Sequence, residues 1–198
     1  MSSVRYRSGE GELIPVIVLI IINIVVYLAI NLAAFSGGSI VQYLALSRST
    51  VMTEPWTILT SMFTHMDFMH LLANMVTLYF YGSFLNRITG TRTFLWIYFG
   101  GGLLSALAVL LLSNPMAYTI GASGAIFALG GALAVLIPML KVFIFPIPVP
   151  MPLWVAILIG FLILAFIPGV SWQGHLGGLL FGLAAGWYLR GRLRPVPY

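Results

Sequence analysis

Three stretches of this chain run for a helix's full crossing length with almost no polar side chain. Leu13 to Ile30 holds only Asn23, Phe94 to Leu112 only Ser105, and Ile120 to Leu140 only Ser123. Roughly 18–20 apolar residues in a helix match the hydrocarbon core of a bilayer. In lipid, every backbone amide must find its partner within the protein, which leaves helices or a closed barrel. These runs are continuous rather than alternating, so a barrel is excluded. Composition agrees, at 61% hydrophobic and 7% charged residues, against about a quarter charged in soluble domains. The expected fold is all-α, a polytopic membrane bundle with spans near 14–34, 67–86, 94–112, 120–140, 151–168 and 174–189. One membrane domain, 14–190, is flanked by tails at 1–13 and 191–198.

The first run exceeds the core of about 7–15 residues typical of a secretory signal, so it is expected to stay as a helix. There are no cysteines, which excludes disulfides, thiol catalysis and cysteine-ligated metals. The net charge of +5 reports topology rather than a polyanion partner. With a cytoplasmic N-terminus, Arg5, Arg7, Arg87, Arg92, Lys141, Arg190, Arg192 and Arg194 all fall inside and only Arg48 outside, a positive-inside pattern. Both termini are then cytoplasmic. A six-helix core without cysteines or a transit peptide suits a prokaryotic plasma membrane. No nucleic-acid partner is expected.

The longest connection, near 35–66, carries Pro55 and Trp56 and is expected in the outer interface. Proline at every second position in Pro146–Pro152 excludes helix and predicts an extended inner connector. Gly178, Gly182 and Gly186 are spaced four apart on the last span, as are Gly124, Ala128 and Ala132 on the fourth. Small residues at that spacing let helix backbones approach closely. They also bring together whatever polar groups the two helices carry.

Those polar groups are few: His70 and Asn74 on the second span, Ser123 on the fourth and His175 on the sixth. Polar side chains within a membrane are costly and are functional suspects. His70 is 17 residues from Arg87, Ser123 is 18 from Lys141 and His175 is 15 from Arg190. At 1.5 Å per residue these are heights of roughly 25, 27 and 22 Å above the inner boundary. All three are therefore expected in one layer, a few ångströms below the outer boundary of a core about 30 Å thick. A serine becomes a nucleophile when a histidine takes its proton. Ser123 opens its helix within Gly121-Ala122-Ser123-Gly124, where free backbone N–H groups suit an oxyanion. His70 and Asn74 share one helix face and both can donate hydrogen bonds. Phe127, one turn on, is expected against the His175 ring. Each residue also has a plainer role: Ser123 as a small packing residue, His175 as a cap, Asn74 as interhelical glue. His65 and Asp67 read as interfacial or capping residues, and Glu54 as a loop residue. The combination at one depth favours chemistry.

These motifs resemble the rhomboid family of intramembrane serine proteases. Gly121-Ala122-Ser123-Gly124 is similar to its glycine–x–serine–glycine motif. His175 with Gly178 and Gly182 resembles its last-helix histidine motif, and His70 to Asn74 its histidine–x3–asparagine motif. The likeness spans about Glu54 to Gly186. It implies cleavage of a peptide bond in or beside a transmembrane segment of a single-span or polytopic membrane protein, near the outer face. By that resemblance Ser123 is the nucleophile and His175 the base. The Ser123 N–H, His70 and Asn74 form the oxyanion hole, with Gly121, Gly124, Phe127, Gly178 and Gly182 in support. No carboxylate, metal or other cofactor takes part. The fifth helix and residues 170–173 look like the family's gate and cap. Thr57 stands where many members have arginine, putting the anchoring of the first outer loop in question, and Phe127 stands where many have tyrosine. A metalloprotease would need a cluster such as His-Glu-x-x-His and an aspartyl protease a second aspartate beside Asp67; neither occurs. A transporter usually places charges near the midplane, where this chain has none. The remaining alternative is a non-catalytic relative that binds membrane segments without cutting them.

Overall fold

In a computed structural model of the protein, residues 13–35, 40–144 and 147–192 are described. The expected tails lie outside these residues, apart from Leu13, Gly191 and Arg192. The chain forms α1 (Ile14–Phe35), α2 (Val41–Leu44), α3 (Thr57–Thr60), a 3-10 turn (Ser61–Phe63), α4 (Phe68–Thr89), α5 (Thr91–Leu112) and α6 (Ser123–Leu136). A hairpin of β1 (Lys141–Ile144) and β2 (Ile147–Pro152) follows, then α7 (Leu153–Ala165) and α8 (Trp172–Arg190). Of these, α1, α4 and α5 are long and apolar enough to cross a membrane, while α6 and α7 are apolar and shorter. Large apolar side chains such as Leu32, Phe80, Leu111 and Ile163 face outward, as expected where the surroundings are lipid.

α6 is the central rod. It packs most extensively on α8, then on α5, and also touches α4 and α7. Nearly all its residues from Gly124 to Leu133 are buried, the condition under which a helix is apolar all round. It is 14 residues long, not the expected 21-residue span. At its start Gly121 has φ +116°, a conformation that side-chain-bearing residues rarely adopt. At its end Ile137 precedes Pro138 and leaves the helical region, as pre-proline sterics demand.

The small-residue stripes meet as the spacing predicts. A Cβ added at Gly178 would sit on the Gly124 carbonyl, and one at Gly182 on the Ala128 carbonyl. Between α4 and α5 the chain reverses at Gly90, with φ +84°. Asp67 caps α4 by accepting from the His70 N–H at 2.9 Å.

The all-α expectation needs one correction. The proline-rich segment is extended, but it is one arm of an antiparallel hairpin in which Lys141 pairs with Pro152 and Val142 with Met151. Proline lacks an N–H but keeps its carbonyl, so a two-stranded edge accommodates it. The last helix also begins earlier than expected, taking in Trp172 and Gln173.

The connection between α1 and α4 is anchored despite Thr57. The Leu46 N–H donates to the Thr119 carbonyl at 2.9 Å and the Thr119 N–H to the Leu46 carbonyl at 2.8 Å. Ser47 Oγ donates to the Pro115 carbonyl at 3.0 Å. The Trp56 indole donates to the Tyr43 carbonyl at 2.8 Å. Thr57 is buried, and its hydroxyl donates to the Glu54 carbonyl at 2.6 Å.

Candidate active site

The α6–α8 contact brings Ser123, the first residue of α6, to His175 in the first turn of α8. Ser123 Oγ and His175 Nε2 lie 2.8 Å apart, although 52 residues separate them in sequence. The His175 ring is almost wholly buried, at 6% exposure. It lies against Phe127, with centroids 4.7 Å apart and planes at 32°. Phe127 in turn meets Phe161 of α7 edge-on at 6.0 Å. One turn below the serine, an aromatic wall thus fixes the imidazole plane. His175 Nδ1 is buried without a hydrogen-bond partner. Among the described residues no carboxylate meets the ring, and packing against Phe127 sets its position.

The first-turn N–H groups of α6 have no intrahelical acceptor and point to the serine end. The loop ahead of them is pinned by Gly121, whose N–H donates to the Ser61 carbonyl at 2.8 Å. A Cβ added at Gly121 would approach His70 Nε2 to 2.8 Å and Ser123 Oγ to 3.7 Å. His70 therefore borders the serine, and Gly121 leaves the gap between them. Asn74 is buried beneath His70, and its Nδ2 donates to the His70 carbonyl at 2.8 Å. That bond occupies one of two amide hydrogens. Behind the helix start, a cavity of about 20 Å³ is bordered by Ser61, Ser105, Gly121 and Gly124, room for about one water.

Three features escaped the sequence reading. Ser105 of α5 lies against Gly124 and Gly174, filling the space their missing side chains leave. The Ser61 carbonyl anchors the loop before Ser123. His65, expected as an interfacial or capping residue, is 1% exposed and packs edge-on against His70 at 5.0 Å. A second histidine five residues before His70 was the available signal.

Burial, reinforced by the neighbouring His70, pushes the His65 pKa down from 6.5 to about 4. The nearby Phe63 backbone and the charge of Asp67 oppose this. Between pH 6.5 and 4 the unfolded chain binds the proton that the folded protein refuses, so stability rises with pH across that window. The contribution of neutral His65 is complete above about pH 6.5 and disappears as pH falls to 4. Thermal unfolding in detergent should show the melting temperature dropping over that range, and His65→Gln should flatten part of the slope. An unchanged slope would mean that His65 is solvated in the folded protein.

A family profile described as the Rhomboid domain matches residues 52–192. The chain is 30% identical over 170 residues to Rhomboid protein 1, mitochondrial, of Saccharomyces cerevisiae, covering 75% of this chain and 45% of that protein. It is 29% identical over 184 residues to the rhomboid protease GluP of Bacillus subtilis, covering 91% and 35%. It is 31% identical over 146 residues to Rhomboid-like protease 3 of Toxoplasma gondii, covering 72% and 54%. The chain thus spans about a third to a half of the length of these relatives.

Proposed function

The chain belongs to the rhomboid family, and from that premise we propose that it is an intramembrane serine endopeptidase acting through a Ser123–His175 dyad. The observation that carries this reading is the 2.8 Å contact between Ser123 Oγ and His175 Nε2. Ser123 Oγ attacks the scissile carbonyl of a membrane protein segment while His175 Nε2 takes its proton. The resulting oxyanion faces the Ser123 N–H, His70 and Asn74. On collapse, His175 returns the proton to the leaving amine, and the acyl-enzyme forms. Water, deprotonated by the same imidazole, releases the second fragment.

In this reading α1 and α4–α8 are six crossings of one domain, 14–190, in a plasma membrane, with both termini cytoplasmic. The shortness of α6 then has a use. Its 14 residues span about 21 Å of a core about 30 Å thick. Ser123 is thereby recessed below the outer boundary, while the loop before it admits water. Cleavage falls near the outer end of the substrate's span. The gate is α7, whose Phe161 touches the aromatic wall of the site.

A fluorophosphonate probe tests the dyad in detergent: it should label Ser123 alone, and His175→Ala should abolish labelling without loss of fold. Labelling elsewhere, or undiminished in His175→Ala, would defeat the reading. Asn74→Ala should lower kcat by about 2–4 kcal/mol in barrier and leave KM nearly unchanged, because the oxyanion exists only in the transition state. If kcat does not move, Asn74 serves only its bond to the His70 carbonyl.

A further inference from the structure

At the opposite end of the bundle from the serine, aromatic side chains replace the close backbone approach of α5 and α8. Near the start of α8 they touch backbone to backbone: a Cβ at Gly177 would come within 2.7 Å of the Leu104 carbonyl and 3.1 Å of Ser105 Cα. One turn on along α8, Phe181 lies against Gly100 of α5 and meets Trp96, ring centroids 5.2 Å apart. The result is an open groove of about 620 Å³, within the range of roughly 300–1,000 Å³ that accommodates a ligand. Its floor is apolar, formed by Trp96, Phe181, Ala184, Ala185 and Leu189. Its mouth is not. Arg92, in the first turn of α5, lines one wall. On the other wall Tyr188 carries the Arg192 guanidinium over its ring at 4.0 Å. The two described carboxylates are distant. Asp67 caps the far end of the 22-residue α4, and Glu54 lies in the connection before α3.

We propose that this groove seats one anionic phospholipid, its phosphate between Arg92 and Arg192 and an acyl chain along Trp96 and Phe181. Two guanidiniums offer planar, paired donors matched to phosphate oxygens. They stand about one turn beyond an apolar trough that opens sideways to lipid, so head and tail are met in the order in which a bilayer presents them. Basic pockets between helices at the positive face of a membrane protein select acidic headgroups on this principle. A zwitterionic lipid would offer the same chain but carry its own cation toward the arginines. Occupancy would brace the two helices beside the Trp96–Phe181 contact.

Native mass spectrometry of the full chain, released from micelles holding equal phosphatidylglycerol and phosphatidylcholine of identical chains, tests this. Wild type should retain a single phosphatidylglycerol at least fivefold over phosphatidylcholine. Arg92→Gln with Arg192→Gln should bring that ratio to near one, and Lys141→Gln, on the hairpin, should leave it unchanged. Ala184→Trp, filling the trough, should lower retention of both lipids. Because the arginine changes are at exposed positions, an unaltered melting curve shows that loss of lipid is not loss of fold. Equal retention of both lipids by wild type, or a ratio indifferent to the two arginines, overturns the proposal. So does a two-chain species that Ala184→Trp dissolves, which would seat a second copy in the groove instead.

Discussion

Ser123→Ala should lower kcat/KM for a single-span substrate by at least about 10³-fold while the protein keeps its fold and still binds the substrate. The hydroxyl is small, sits at a helix start and is hydrogen-bonded to His175 at 2.8 Å. Its removal costs little packing, so any loss of activity reads out chemistry. The expected size follows from dyads and triads acting as units: once the nucleophile or its base is absent, the other has no partner to activate. His175→Ala should therefore cost about as much as Ser123→Ala, and the double variant little more than either. Additive losses would mean two independent roles and would break the dyad. Retained cleavage by Ser123→Ala would remove Ser123 as nucleophile. A wild type that binds a transmembrane peptide without cutting it would favour the non-catalytic reading.

How much of this was legible depends on which interactions a sequence records. The apolar runs predicted helices at the right places because lipid leaves the backbone no other satisfied state. The meeting of Ser123 with His175 was legible for a related reason. Two stripes of small side chains spaced four residues apart allow few dockings, and the docking sets the depth of the groups above them. The shortness of α6 was also written in the chain, in Gly121 and Pro138, but hydrophobicity alone cannot see it: residues 120–122 and 137–140 are as apolar as the helix between them. The β1–β2 pairing was hidden because alternating prolines say "extended" without naming a partner strand. Ser61 and His65 were missed for another reason. A backbone carbonyl bonded to Gly121 has no side-chain signature, and a histidine near a helix start looks interfacial until the loop folds it inward. Asn74 was read by its donors; its bond to the His70 carbonyl depends on a rotamer that no spacing specifies.

The largest structural effect should come from Gly178. Gly178→Ala places a Cβ on the carbonyl oxygen of Gly124, and Gly182→Ala does the same at Ala128. Neither obstacle is a side-chain end that can rotate away; each is backbone inside a helix buried along its length. The helices must separate or tilt. Overpacking of this kind costs about 1–3 kcal/mol and more where nothing can yield. The functional loss should outrun the thermal one. Gly124 is the residue after Ser123, and Gly178 lies one turn from His175, so the displacement acts where the dyad is joined. A shift near 1 Å is enough to cost about 10²-fold in rate and would break a 2.8 Å contact. Gly178→Ala should lower the melting temperature in detergent and also quench fluorophosphonate labelling of the remaining folded protein. Gly160, within α7, supplies the opposite case: a Cβ there meets nothing within 4 Å. Gly160→Ala should hold or raise stability by up to about 1 kcal/mol, since alanine is the better helix residue. If both substitutions behaved alike, or if Gly178→Ala lost stability but labelled as wild type, the stripe would be packing alone. The registration of serine on histidine would then have to come from the loop that Ser61 pins.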